Sequence, residues 1–426
     1  MKTIFVYSVV LVFLSLGSCK NSKKKKQQLS YTTVTCAPAP LTSDADWYQT
    51  NKKAPLFDNL GNHSFQITTQ NELAQKYFNQ GLILAYGFNH AEAARSFYYA
   101  TKLDSTCAMA YWGYAYVLGP NYNAGMESDN YSRAYNAIQK AINLSEDVSQ
   151  KEMELIWAMS KRYSKEVPKD RTGLDQEYSD AMKKLYDEYP KDPDIGTLYA
   201  ESLMNLHPWD LYEHDGTAKP WTAEIENTLE DIIEISQQHP GVHHFYIHAV
   251  EASSNPERGL KSAKLYDEGL VPGAGHLVHM PSHIYIRTGH YHKGTMANIN
   301  AVEADSLYVT KCHAQGVYPI AYYPHNYHFL AATATLEGNS YWGILAAEKV
   351  SKQVSIQLMK EPGWGTLQHY YTIPYYVYVK FGKWDKILNM PDEVPELVYP
   401  SAVRAYSRGM AFLGKGDIEN AKKELI

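Results

Sequence analysis

Cysteine is scarce, with only Cys19, Cys36, Cys107 and Cys312 in 426 residues. No two of them have the close spacing of a thiolate metal site. Beyond Cys19 the number is odd, so the thiols cannot all pair within one chain, and disulfides do not hold this fold together. Positive charge is not in excess: the net charge of −6 gives no electrostatic footprint for nucleic acid. Phenylalanine is sparse beside tyrosine, 11 against 36, which favours helix interfaces and groove walls that are partly wet, since tyrosine adds a polar hydroxyl to its packing area. There is no Gly-rich phosphate loop and no Gly-x-Ser-x-Gly elbow. The segment HHFYIH lacks the glutamate next to its first histidine that the helical zinc-protease signature requires. The residues that are present are 45% hydrophobic and 20% charged, enough to bury a sizeable core.

The N-terminus reads as an export signal. Lys2 supplies a short positive end, Ile4 to Leu16 is apolar but too short to span a bilayer comfortably, and Leu16-Gly17-Ser18-Cys19 closes it. This ending resembles a bacterial lipobox. The resemblance implies a signal peptide over 1–18, lipidation of Cys19, and attachment to the cell envelope at the outer membrane or periplasmic face. The stretch 19–70, with its run Lys23 to Lys26, is polar and reads as a flexible tether.

From Asn71 onward helix signals dominate. Leu73 to Leu103 places apolar residues at Leu73, Tyr77, Leu82, Leu84 and Ala85, with Gly81 where a neighbouring helix could approach; Gly87 to Asn89 forms a turn, and Ala93, Phe97 and Ala100 line one face of a second helix. Later stretches repeat this plan around Gly289 and Gly294, Gly338 and Gly343, and Gly416 and Ala421; Gly259 to Gly294 spans 35 residues. Helix, short Gly or Asn turn, then helix with small and aromatic residues at fixed steps is similar to the tetratricopeptide repeat. The resemblance covers most of 71–426 and implies an all-α, right-handed solenoid with one concave surface. The turn-rich segment Trp209 to Trp221 is expected to separate N-terminal repeats, 71–208, from a second group, 209–426, which is expected to continue past Ile426. Pro281 and Pro374 each lie eight residues before a turn glycine, so both helices are expected either to begin or to kink there.

That second group carries the best clue to function. With Gly259, Gly294 and Gly343 as rulers, His244, His279 and His328 each lie fifteen residues before theirs, His248 and His283 eleven, His276 and His325 eighteen. His369 stands thirteen residues before Gly382, as His276 and His325 stand before Gly289 and Gly338. Equal offsets in stacked units place these imidazoles at equivalent points. His244, His248 and Glu251, and likewise His276, His279 and His283, are spaced to share one helical face. Neutral imidazole is a ligand for zinc, copper and iron, and Glu251 is a candidate carboxylate. His243, His369, Arg287, Tyr285 and Asn326 are candidate accessory groups of the same groove. By the resemblance, the first helix of each hairpin lines the concave ligand surface. The expected function is therefore binding, of a transition metal or of a peptide, protein or small molecule, in a His/Tyr-rich groove. The alternatives are a metal-dependent enzyme and a plain interaction scaffold.

Overall fold

The computed structural model describes residues 44–312 and 318–425, which lie within one compact unit. Cys19, Cys36 and the expected signal peptide fall outside the described residues. The chain opens with α1 (Ala45–Tyr48), α2 (Glu72–Tyr86), α3 (His90–Leu103), α4 (Ala108–Leu118), α5 (Asn130–Asn143), α6 (Gln150–Ser160), α7 (Thr172–Glu188), α8 (Pro193–Leu206) and α9 (Thr222–Ile235). There follow α10 (Pro240–Val250), α11 (Leu260–Asp267), α12 (Gly275–His279), α13 (Pro281–Arg287), α14 (Tyr291–Lys311), α15 (Tyr323–Glu337) and α16 (Ser340–Gln353). The last are α17 (Gly365–Lys380), α18 (Trp384–Leu388), α19 (Val398–Gly414) and α20 (Ile418–Lys423). Among the described residues strand pairing is limited to the isolated bridges Asn121–Ala124 and Tyr212–Ala218, and no helix is long and apolar enough to cross a membrane.

From α2 onward each helix packs on its neighbours in sequence, the pattern of an α-solenoid of helical hairpins. Local signals fix the starts. The Asn71 side chain accepts from the Leu73 and Ala74 amides at the head of α2, and Ser149 with Glu152 forms a reciprocal capping box on α6. Proline opens both α8 and α10, behind Asp192 and His239 as capping residues. Small residues set the spacing between helices. Phe97 of α3 lies between Gly81 of α2 and Gly113 of α4, and a Cβ on Gly113 would stand 2.3 Å from the Phe97 ring. Gly113→Ala is expected to cost about 1–3 kcal/mol by overpacking, read as a lower thermal midpoint with helical circular dichroism retained.

Two sequence expectations are corrected. Residues 44–70 are not a free tether: Trp47, Leu60, Phe65 and Ile67 are buried. Backbone amides of this segment donate to α2 and α6 side chains, Phe57 to Gln80 at 2.9 Å and Thr68 to Glu152 at 2.6 Å. The scattered apolar residues of a polar stretch suffice to dock it. The two prolines also differ from each other. Pro281 opens α13 after a break at Met280, whereas Pro374 lies inside α17.

One contact between distant segments matters for the site. Helix α2 touches α10, so the turn after α2, Tyr86 to Asn89, reaches the histidine-bearing hairpins.

Candidate metal centre

Six histidines converge as two triads. His244 and His248 of α10 meet His276 of α12, and His279 of α12 with His283 of α13 meet His325 of α15. Each triad thus takes two ligands from one hairpin and one from the next. His276 and His279 both lie on α12, three residues apart, yet His276 joins the α10 pair while His279 joins His283, beyond the break at Met280, and His325. All are buried except His325, which is half-buried. The rings therefore lie within the packing between hairpins, closed over by the α2 turn, and not on an open groove wall.

At His244, His248, His279 and His283 the ring edge facing away from the triad settles which nitrogen is free. His244 Nδ1 lies 2.5 Å from the Tyr86 carbonyl oxygen, which can only accept. His248 Nδ1 and His283 Nδ1 lie 2.7 and 2.6 Å from the two carboxylate oxygens of Glu251. His279 Nδ1 lies 2.7 Å from Asn298 Oδ1, and the Asn298 amide is oriented by donating to the Gly294 carbonyl at 2.8 Å. Each of these Nδ1 atoms must carry a proton, so that a ring in its neutral form presents a bare lone pair on Nε2. His279 Nε2 and His283 Nε2 nevertheless face each other at 2.8 Å, and His325 Nε2 stands 3.1 Å from His279 Nε2. In the first triad His244 Nε2 is 3.1 Å from His276 Nε2, while His248 Nε2 is buried with no hydrogen-bond partner.

The lone pairs of neutral His279 and His283, aimed at one another, repel unless a proton or a metal ion lies between them. Nitrogens bound at 2.0–2.2 Å around a tetrahedral ion stand about 3.3–3.6 Å apart, so an ion would be admitted by an opening of about 0.5–0.8 Å at the His279–His283 contact and about 0.2–0.5 Å at the two 3.1 Å contacts. Burial, reinforced by neighbouring imidazoles, holds His244, His276, His279 and His325 well below the usual histidine range. Burial likewise lowers His248, against the opposing pull of Glu251. Burial alone would raise the Glu251 carboxyl, yet His283 and His248 hold it below the usual carboxylate range. Glu251 therefore stands behind the imidazoles as their shared acceptor.

A third histidine group, His63, His239 and Asp194, has different chemistry. The Val242 amide donates to His239 Nδ1 at 3.2 Å, so His239 Nε2 carries the proton and donates to Asp194 Oδ1 at 3.1 Å. The same oxygen receives the Tyr86 hydroxyl at 2.7 Å and lies 3.0 Å from His63 Nε2. This is a filled hydrogen-bond network that secures Tyr86, whose carbonyl orients His244.

The remaining sequence candidates sit around the triads. His243 is held by Ser262 and the Gln237 carbonyl at 2.8 and 3.0 Å. Tyr285 donates to Asp267, and Arg287 to the Ser253 carbonyl at 3.2 Å. Asn326 donates to Asp305 at 2.7 Å, as Tyr318 does at 2.5 Å. Burial pushes the Asp305 carboxyl up to about 7 although both donors oppose the rise. A Cβ on Gly275 would lie 1.9 Å from Asp305 Oδ1, so this network ties α12, α14 and α15 together beneath the second triad. His328 lies outside both triads, against His369, with ring centres 5.1 Å apart.

Aromatic residues cover the triad rings. Phe88 lies 4.5 Å from His244 and 5.8 Å from His276, and Phe329 lies 4.5–4.7 Å from His279, His283 and His325. Phe88 and Trp209 are the non-glycine residues with positive φ among the described residues, 54° and 59°. Both pack on His248, at 6.1 and 5.4 Å. Such backbone costs on the order of 1–3 kcal/mol each and gathers at functional sites. Tyr86, Phe88, Asn298 and Phe329 carry no local sequence signal for these roles.

No family model matches the chain, and no curated protein matches it. Solved structures similar to it are helical. The human IFIT1 dimer with m7Gppp-AAAA is 13% identical, with 84% of this chain and 77% of that chain covered at a TM-score of 0.39. The TPR domain of P58(IPK) is 15% identical, with 82% and 91% covered at a TM-score of 0.21. The stacked, glycine-spaced hairpins described above make the chain a tetratricopeptide-repeat-like, all-α solenoid. Among its described residues are several histidine clusters able to hold a metal ion.

Proposed function

We propose that this chain is an envelope-anchored helical-repeat protein that binds a pair of transition-metal ions, one in each histidine triad. The observation that carries this reading is the contact between His279 Nε2 and His283 Nε2 at 2.8 Å, with both Nδ1 edges tied to acceptors. Neutral nitrogen ligands suit copper and zinc and do not suit magnesium or calcium. Charge favours copper. Glu251 is the carboxylate in contact with the triads, so two dications would leave a local charge near +3, whereas two copper(I) ions leave about +1 in a buried site where unbalanced charge is costly. Anchoring would pass through Cys19.

Elemental analysis of untagged protein should return two equivalents of metal. A His279→Ala/His283→Ala variant should retain one equivalent and its helical circular dichroism, and His244→Ala/His248→Ala should do the same for the other site. Absence of metal after reconstitution of a folded chain would remove the reading.

A second reading, a metal-dependent enzyme, is favoured by one feature. Three protein ligands leave a coordination position open on each ion, as catalytic sites do. A cavity of about 580 Å³ also has Phe88 and Tyr322 in its wall, and both rings pack on His276, at 5.8 and 5.0 Å. That volume suits a small organic molecule. An exchangeable ligand on the bound ion, detected in the copper(II)-loaded protein by an azide-induced change in its absorption spectrum, separates this reading from a carrier with closed coordination.

A further inference from the structure

The ruler glycines have a structural meaning that extends the site. A Cβ on Gly259 would meet Ile284, one on Gly294 would meet Thr333, and one on Gly343 would stand 3.7 Å from Val377. Each glycine is thus the point where one hairpin seats on the next. Ile284, Thr333 and Val377 lie eight residues after His276, His325 and His369 respectively. The same hairpin-to-hairpin register therefore occurs three times in succession.

In the first two occurrences it joins a histidine fifteen residues before the glycine to one on the following hairpin. His244 and His276 have ring centres 4.9 Å apart, and His279 and His325 4.8 Å. The third occurrence joins His328 to His369 at 5.1 Å. The difference lies in the remaining ligand. One turn after His244 and His279 stand His248 and His283, but one turn after His328 stands Ala332. This rung is also more open, since both His328 and His369 are half-buried, whereas His325 alone of the six triad histidines is. His369 Nδ1 has the exposed Tyr399 hydroxyl at 3.0 Å, which can accept its proton as the oxygens behind the triad imidazoles do. Phe329 lies between the rung and the second triad, 6.3 Å from His328 and 4.7 Å from His325.

We infer that His328 and His369 form an outer, two-histidine capture site for the same metal cation, from which the buried triads are filled past Phe329. This rests on the proposed metal pair. Two protein ligands in a more open position give a weaker, faster-exchanging site than three ligands of which at least two are buried. The half-buried His325 is the triad member placed to receive the ion. The same backbone register presents all three sites, so the outer rung lacks only a side chain to become a third triad.

The test uses the metal-free full chain and copper(I) supplied on a chromophoric chelator under anaerobic conditions, with transfer followed by loss of the chelator's colour. Wild type should take two equivalents. A His328→Ala/His369→Ala variant should reach the same two equivalents at least tenfold more slowly. The single variant His369→Ala, at the more open position, should slow loading in the same direction if the double variant folds poorly. Ala332→His should raise the tightly held copper to three equivalents. An unchanged loading rate in the alanine variants, or two equivalents in Ala332→His, overturns the outer site while leaving the metal pair standing. No copper uptake by wild type overturns the metal pair itself.

Discussion

Glu251→Ala is expected to weaken both metal sites at once, each by about 10–100-fold, the usual cost of losing the partner behind a metal-bound histidine. The reason is geometric: one carboxylate accepts from His248 in the first triad and from His283 in the second, at 2.7 and 2.6 Å. Its removal frees both rings to shift their proton to Nε2, the nitrogen needed for the metal. It also strands two buried N–H donors, at about 1–3 kcal/mol each. Glu251→Gln separates the two effects. An amide offers one oxygen and one NH2 group, so it can accept from one imidazole but must confront the other with a donor. The glutamine variant should therefore keep one site near wild-type affinity and weaken the other, where alanine weakens both. Chelator competition against each variant reads this directly. A Glu251→Ala protein with two undiminished sites would show that the carboxylate does not organise the triads.

The repeat architecture was legible because it is periodic. Helical spacing around Leu73 to Leu103, turn glycines such as Gly289 and Gly338, and the equal offsets of seven histidines all survive in a one-dimensional reading. The same offsets correctly grouped His244 with His248 and His279 with His283, because four residues is one helical turn. They did not show that His276 belongs to one triad and His279, three residues later, to the other. Both rings sit on α12, so that division is set by where α10 brings His244 and His248 and where α15 brings His325. Partners from distant sequence were beyond reach. Tyr86 lies 158 residues from the ring it orients, and it arrives only because α2 touches α10. The docking of residues 44–70 was hidden for a related reason. Trp47, Leu60, Phe65 and Ile67 are too irregularly spaced to show a period, and their burial is decided by the surface they meet.

Metal-free protein is expected to lose stability steeply as pH falls below about 6.5, and bound metal should move that loss to lower pH. Burial is the leading cause of depressed basicity in His244, His248, His276, His279 and His325. It also brings His90 to about 3 and His243 to about 4. In the unfolded chain these rings titrate near 6.5. Above that pH they are neutral in both states and cost nothing. Below it the unfolded state binds more protons, so each such ring lowers stability by about 1.4 kcal/mol per pH unit until its folded-state value is reached. Several rings acting together can exhaust a typical native stability of about 5–15 kcal/mol within roughly two pH units. A metal ion binds the same Nε2 lone pairs that protons would take, and it binds the folded chain. It therefore adds stability that grows with its free concentration, and it is released as the rings protonate. Helical circular dichroism followed from pH 7.5 to 4 should show the chelator-treated chain unfolding first and the metal-loaded chain later. A metal-free chain equally stable at both ends of that range would mean the rings are solvated or already charged, and the buried, neutral triads on which the metal pair depends would not exist.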